Sequence, residues 1–303
     1  MTVMGYDCKV LADSISDSGI RLTTFEITFP RCILAELNTH RVFSRNSSSS
    51  RAIPVEKMLK RVTEDPFIPI YWGKNQSGMQ AEAELQPGEQ QVATVEWLNA
   101  RDSVVEHVKS MLSIGVHKQI TNRMLEPWLW HTALVTATEW DNFFKLRCSP
   151  MAQPEIRCIA DMMRQKYNDL CPTQVVPFGE GIPMHLPLVD DKRDLIAAGY
   201  TTQDIVKISV GRCARVSYLT HDGKRDPKAD IELYERLLGS GHMSPFEHVA
   251  APMNTTDADH VLRLQQSHRD QRVAADPRHT FCGNLRGWVS HRMRLQKLDR
   301  SAT

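Results

Sequence analysis

Hydrophobic and polar positions alternate most clearly over RLTTFEITFP, residues 21–30, which predicts a strand ending at Pro30. The period then changes: Ile33, Leu34 and Leu37 fall at helical spacing in RCILAELNTHRVF, so a short helix is expected to deliver His40 and Arg41 at its C-terminal end. Pro54 opens a further helix with VEKML. After it Pro66, Pro69, Trp72, Gly73 and the tract KNQSGMQAEAELQPGEQQ form a connection of the long, irregular kind that is functional or disordered in compact domains. VATVEWLNARDSVVEHVKSMLSIG places Val92, Val95, Leu98, Val105, Val108 and Leu112 on one broad apolar stripe and stops at Gly115. HKQITNRMLEP reads as a shorter helix ending before Pro127.

Downstream, TALVTATEWDNFFKLR mixes β-branched and aromatic residues, with Pro150 and Pro154 marking the loop and first turn that follow. AQPEIRCIADMMRQKY is expected to be an amphipathic helix with Ile156, Ile159, Ala160 and Met163 facing the core. The proline-rich CPTQVVPFGEGIPMHLPL reads as a linker or covering loop, and DIELYERLLGSG as a helix with Leu233 and Leu237 inward, ending at Gly239 or Gly241.

Composition narrows the class. At 303 residues, 41% hydrophobic and 24% charged, the chain has material for one large domain or two ordinary ones. A formal net charge of +1 argues against a general polyanion binder, so no stable nucleic-acid complex is expected, while a local basic pocket remains open. The seven cysteines show no CxxC pair and no metal-ligand spacing, which suggests reduced thiols in a cytoplasmic protein without a bound metal. The N-terminus lacks a basic segment followed by an apolar block, and no run of about 18 apolar residues occurs, so neither secretion nor a membrane span is expected.

The candidate chemistry centres on ELNTHRVFSRNSSSSR, residues 36–51. Guanidiniums at Arg41 and Arg51, the His40 imidazole, Asn46, five serine hydroxyls and backbone amides freed among the serines make an inventory of donors suited to phosphate or a ring carbonyl. A solvated serine-rich surface loop is the plainer alternative. Arg123 on a predicted helix and Arg147 at the junction between NFFKLR and a helix start are further cations, each open to a structural ion pair instead. GHMSPFEH, residues 241–248, has no zinc-site spacing; Ser244 is a plausible N-cap and Glu247 would complete a capping box.

Five segments resemble signatures of the flavin-dependent thymidylate synthases. Thr39-His40-Arg41, Ser44, Asn46, Ser49 and Arg51 fall in the register of that family's RHRxxSxNExSGR. Arg123 with Pro127 is similar to its AR-x-x-L-P segment, and Asn142, Leu146, Arg147, Ala152, Gln153, Glu155 and Ile156 to its NFxxLR…AQxEI segment. Ala214-Arg215-Val216-Ser217-Tyr218 is similar to ARVSY, and GHMSPFEH to GHxSPFEH. The family places ARVSY and GHxSPFEH first, so the order found in this chain points to a divergent, circularly permuted member, with residues 211–248 packing against the N-terminal strand. RGWVSHR, with Trp288, His291 and Arg292, echoes the family's QWxRHR and reads as coincidence or a degenerate duplicate, or as part of a helix covering the site.

The resemblance implies an α+β fold, a central sheet with flanking helices, in a single domain over 1–303. Its parts would be 1–178 with the THR and serine-rich segments, a permuted 205–250, and an extra basic tail 251–303. It implies a homotetramer with interfacial sites in which FAD, recharged by NADPH, helps move a one-carbon unit from methylenetetrahydrofolate to C5 of a pyrimidine deoxynucleotide monophosphate, by default dUMP to dTMP. His40, Arg41, Ser44, Asn46, Asn142, His242, Ser244 and Glu247 would hold the flavin; Glu36, Ser49, Ser50, Arg51, Arg123 and Arg147 the nucleotide. Arg147 is the leading catalytic candidate, as a fixed cation for charge developing on the base, and Ser49 a second, although no adjacent base is evident to activate its hydroxyl.

Departures from the family pattern keep alternatives open. Glu36 stands for Gln, Thr39 for Arg, Ser47 for Glu, Ser50 for Gly and Met151 for His. Glu36 could accept a hydrogen bond from an exocyclic amine, which leaves dCMP as substrate and a hydroxymethyl product open, as for modified nucleotides of viral DNA made in a host cytoplasm. A non-catalytic nucleotide- or nucleic-acid-binding module, motivated by Thr39 and the basic run from Arg286 to Arg300, is the alternative of another class.

Overall fold

A computed structural model describes residues 5–175, 184–216, 225–265 and 276–299; Ser217 and Tyr218 of ARVSY and residues 176–183 of the proline-rich passage lie outside the described residues. The first half holds strands β1 (Asp7–Ile15) and β2 (Arg21–Pro30), helix α1 (Leu34–Asn38), strand β3 (Ser44–Ser47), and helices α2 (Val55–Glu64), α3 (Pro87–Ser113) and α4 (Lys118–Met124). Strand β4 (Trp130–Ala137), helices α5 (Asp141–Arg147) and α6 (Pro154–Asp169) and strand β5 (Thr173–Gln174) complete it. The second half has α7 (Lys192–Ala197), α8 (Thr202–Arg215), α9 (Pro227–Gly239), β6 (Ala250–Pro252), α10 (Thr255–Gln265), β7 (Phe281–Cys282), β8 (Leu285–Arg286), β9 (Trp288–Ser290) and α11 (His291–Asp299).

The α+β architecture rests on a five-stranded sheet of order β3-β4-β2-β1-β5, antiparallel except for the short β1–β5 pairing. The two-residue period of β2 sorts its side chains onto two different environments. Phe25, Ile27 and Phe29 join Ala133 and Val135 of β4 and Ile156, Ile159, Ala160 and Met163 of α6 in a core where none is more than 1% exposed. On the other face Thr24 lies opposite Thr136 and Thr28 opposite Thr132, and their hydroxyls hydrogen-bond at 2.6 and 3.1 Å.

That hydroxyl-lined face receives the second half of the chain. His185 Nε2 meets Thr24 Oγ1 and its Nδ1 meets Ser14 Oγ, both at 2.8 Å, while Thr136 Oγ1 meets His248 Nδ1 at 2.8 Å. Cys213 and Val216 pack on Leu134, and Asn46 Nδ2 donates to Cys213 O at 2.8 Å. Of residues 211–248, expected to pack against the N-terminal strand, the described Cys213, Val216 and His248 thus contact the neighbouring strands β3 and β4.

Two expectations change. The long helix starts at Pro87, before the apolar stripe begins, where the Gln86 N–H donates to the Glu89 carboxylate at 2.9 Å. Of the stripe, Val105 and Val108 are buried with Met58, Val62, Leu125 and Trp128, but Val92 is 62% and Val95 49% exposed. The cluster beneath α3 reaches from Trp97 towards its C-terminal end and leaves the first turns uncovered, and a stripe records that a face is apolar without saying which chain covers it. Helix ends follow the sequence: Gly115 and Gly241 adopt φ of +83° and +70°, the left-handed geometry that terminates α3 and α9.

Gly211 lets α8 approach α9 directly, since a Cβ there would lie 2.3 Å from the Asp230 carbonyl oxygen. The Asp230 carboxylate, 1% exposed, is held by Arg212 and Arg215 of α8 at 3.2 and 2.6 Å. Gly211→Ala is therefore expected to force the helices apart and cost about 1–3 kcal/mol, as overpacking does, read as a lower midpoint in urea unfolding; an unchanged midpoint would show that α9 can shift freely. No helix among the described residues is long and apolar enough to cross a membrane.

Candidate active site

The serine loop is sorted by alternation as it leaves edge strand β3. Ser48 turns inward, its Oγ 3.2 Å from His131 Nδ1, and Ser50 donates to Glu126 Oε1 at 2.8 Å. Both are under 10% exposed. Ser47, Ser49 and Arg51 face the other way, into a cavity of about 520 Å³ also lined by Arg45, Asn46, His117, Gln119, His242 and Ser244. Ser50, expected at the phosphate, thus braces the loop from behind, in a turn closed by the Ala52 N–H donating to Ser49 O at 3.0 Å.

GHMSPFEH forms the opposite wall. Ser244–Glu247 is a 3₁₀ turn preceded by Met243, and Ser244 makes no capping bond, so the expected capping box is absent. Glu247 is instead ion-paired to Arg292 of the C-terminal tail. His291 stacks on Phe246 with ring centroids 5.9 Å apart and hydrogen-bonds Tyr234 Oη at 2.8 Å, so two adjacent tail residues grip the turn. Helix α11 thus packs against this turn, while none of its described residues lines the cavity, so it does not form the expected cover over the site. Among the described residues of the tail, Arg286 pairs with Glu139 at 2.5 Å, Arg292 with Glu247, and Arg294 with Asp257 at 3.6 Å.

A second cluster forms around Arg147 at the C-terminal end of α5. Its Nε donates to His40 Nε2 at 2.9 Å, and its Nη2 to Thr39 Oγ1 at 3.0 Å and to Glu36 O at 3.2 Å. The two N–H groups of Nη1 have no partner among the described residues. His40, 6% exposed, stacks on Phe43 at 5.6 Å and meets the edge of Phe143 at 5.0 Å. Burial, then the nearby guanidiniums of Arg147 and Arg45, push its pKa down to about 4, so the ring is neutral, accepts at Nε2 and carries its proton on Nδ1. Thr39 therefore takes up a donor of Arg147 where the family has an arginine that would repel it.

Arg45 joins the clusters: it lines the cavity, and its Nη1 donates to His40 O at 3.1 Å and Leu37 O at 3.2 Å. Sequence reasoning passed over Arg45, His117 and Gln119; Arg45 was legible only as an unmatched position within the motif. Of the residues singled out, Asn46, Ser49, Arg51, His242 and Ser244 meet at the cavity, and Glu36, Thr39, His40 and Arg147 meet beside it. Ser44 is buried under Asn284 Nδ2 at 3.5 Å, while Arg41, Arg123 and Asn142 are exposed outside the cavity lining. Among the described residues no group of three or more His, Cys, Asp and Glu is placed to hold a metal ion.

In this α+β fold the edge strand β3, the serine loop and the distant His-Ser turn build a cationic cavity complementary to a small anionic group. The sequence profile of the thymidylate synthase complementing protein family matches residues 22–173, and the chain belongs to that family, the flavin-dependent thymidylate synthases. It is thus a thymidylate synthase-type methyltransferase. Among solved structures it is similar to a UMP/dUMP methylase, PolB, from Streptomyces cacaoi bound with 5-Br UMP, at 16% identity over 55% of this chain and 89% of that one, with a TM-score of 0.45. The same methylase bound with 5-Br dUMP gives 14% identity, 55% and 91% coverage and a TM-score of 0.44. No curated protein matches the chain.

Proposed function

We propose that the cavity binds a pyrimidine deoxynucleotide monophosphate, dUMP by default, and that the chain transfers a one-carbon unit from methylenetetrahydrofolate to C5 with the help of FAD recharged by NADPH. The observation that carries this reading is the cavity itself. It joins the serine loop to a turn almost two hundred residues away and offers two arginines, two histidines and hydroxyls, with no carboxylate among its described lining residues. That inventory is complementary to a phosphate dianion.

Ser49 and Arg51 hold the phosphate. Among the described residues no imidazole or carboxylate is hydrogen-bonded to the Ser49 hydroxyl, so Ser49 binds and does not attack. Arg147 has two free N–H donors and stabilises the negative charge that builds on the base when C5 becomes nucleophilic. The residues fit a flavin: Arg41 is an exposed cation, and Val42, Leu146 and Met151, on the segments that carry His40 and Arg147, are exposed apolar side chains open to a ring. The flavin, when bound, supplies the redox chemistry of the transfer. His40, Arg41, His242 and Ser244 orient it.

A homotetramer with interfacial sites is part of this reading, supported by membership of the family. So are a circular permutation, supported by the contacts of Cys213 and His248 with the sheet, and a cytoplasmic location, supported by seven free cysteines. One observation favours a second reading: Glu36 Oε2 is buried without a hydrogen-bond partner, an acceptor suited to the exocyclic amine of dCMP.

The purified protein is expected to be yellow or to bind added FAD. With reduced flavin and methylenetetrahydrofolate it should convert dUMP to a product in which a methyl group replaces the C5 hydrogen, a net gain of CH2; mass spectrometry of dUMP and dCMP reactions side by side separates the two readings. Turnover of neither nucleotide by flavin-loaded protein sinks both.

A further inference from the structure

Helix α4 is fastened to the backbone of the serine loop. Lys118 Nζ donates to Ala52 O at 3.2 Å, and Asn122 Nδ2 donates to Ser50 O at 2.7 Å and to Ile53 O at 3.0 Å. Asn122 is fully buried, so these bonds are protected from water and fix the helix against residues 50–53. His117, the residue before the helix, is thereby carried to the cavity wall beside Ser49 and Arg51.

The ring of His117 is oriented by its own backbone. Its Nδ1 accepts the N–H of Gln119 at 3.2 Å. A neutral imidazole that accepts at Nδ1 carries its proton on Nε2, so the ring presents an N–H donor. No carboxylate lines the cavity among the described residues, which leaves no anionic partner of the protein's own there to take that donor.

We infer that His117 is a substrate-binding residue whose Nε2–H donates to an oxygen of the phosphate held by Ser49 and Arg51. The inference rests on the nucleotide reading of the cavity and adds to it a ligand from α4, outside all five signature segments. His117 is the N-cap of α4, so its structural and binding parts must be separated. Asparagine at 117 keeps a cap acceptor at the place of Nδ1 but lacks the reach of Nε2, whereas alanine removes both.

Affinities of the flavin-loaded protein for dUMP and for deoxyuridine, which lacks the phosphate, are measured by calorimetric titration with melting temperatures alongside. His117→Asn is expected to melt like the wild type, lose about tenfold in dUMP affinity as a charged hydrogen bond is lost, and bind deoxyuridine unchanged. His117→Ala should show the same binding loss with a lower melting temperature; should it fail to fold, His117→Asn decides alone. Wild-type dUMP affinity in His117→Asn, or equal weakening of both ligands, overturns the inference while the nucleotide reading stands. Wild-type protein that binds no dUMP overturns the nucleotide reading and this inference with it.

Discussion

Arg147→Ala is expected to lower turnover by about 10²–10³-fold, the usual cost of removing a fixed donor from developing transition-state charge, while flavin stays bound. The guanidinium is only partly buried, and its Nε, with one N–H of Nη2, binds the two side chains His40 and Thr39. Losing those bonds should cost stability of the order of 1–3 kcal/mol, too little to unfold the chain. It should also raise the His40 pKa from about 4, because one of the cations that depress it is gone, although burial, the larger cause, remains. Arg147→Lys keeps a charge but not the forked geometry that reaches His40 and Thr39 together, so it should recover only a small part of the rate. Steady-state rates with flavin occupancy read from the visible spectrum check both variants. Retained turnover in Arg147→Ala would remove Arg147 from the chemistry and leave it a structural clasp.

Acid should unfold the protein well above the carboxylate range. His131, His185 and His248 are at most 3% exposed, and burial pushes each pKa down to about 3 from an ordinary value near 6.5; the guanidinium of Arg31 adds to the effect at His131 and the His248 ring at His185. In the unfolded chain these rings bind protons below about pH 6.5, whereas in the folded chain they stay neutral until about pH 3. The unfolded state thus holds more protons throughout that window, and stability present above pH 6.5 is lost as the pH falls. Each ring gives up about 1.4 kcal/mol per pH unit, so at pH 5.5 the three together cost about 4 kcal/mol, a large share of the stability of an ordinary domain. His40 and His291, each lowered to about 4, act in the same direction. Melting temperatures between pH 8 and pH 5 should fall steeply below pH 6.5. His248→Asn, which keeps an acceptor for Thr136 Oγ1, should flatten the slope by about one proton even if it lowers stability at neutral pH. A flat profile to pH 5 would mean that these rings are charged within the fold.

The sequence by itself determined several elements and the family. Strand 21–30, the short helix that ends before His40, the helix over Pro154–Asp169 with its four core residues, and the glycines that stop α3 and α9 all follow from local period and backbone preference. The five signature segments were legible for the same reason, since a motif is a local string. Only the tertiary structure decided which members of those strings meet. Ser49 and Ser50 are neighbours in sequence, yet one lines the cavity and the other braces Glu126, because the chain turns at this point with the Ala52 N–H bonded to Ser49 O. Val92 and Val105 share a stripe, yet one is exposed and the other buried, because burial depends on what is packed above a face. Arg147 and His40, Glu247 and Arg292, and His117 and the serine loop are brought together by sheet pairing and by the bonds of Asn122 and Lys118. Such contacts join residues 45 to more than 100 positions apart, and no local pattern encodes them.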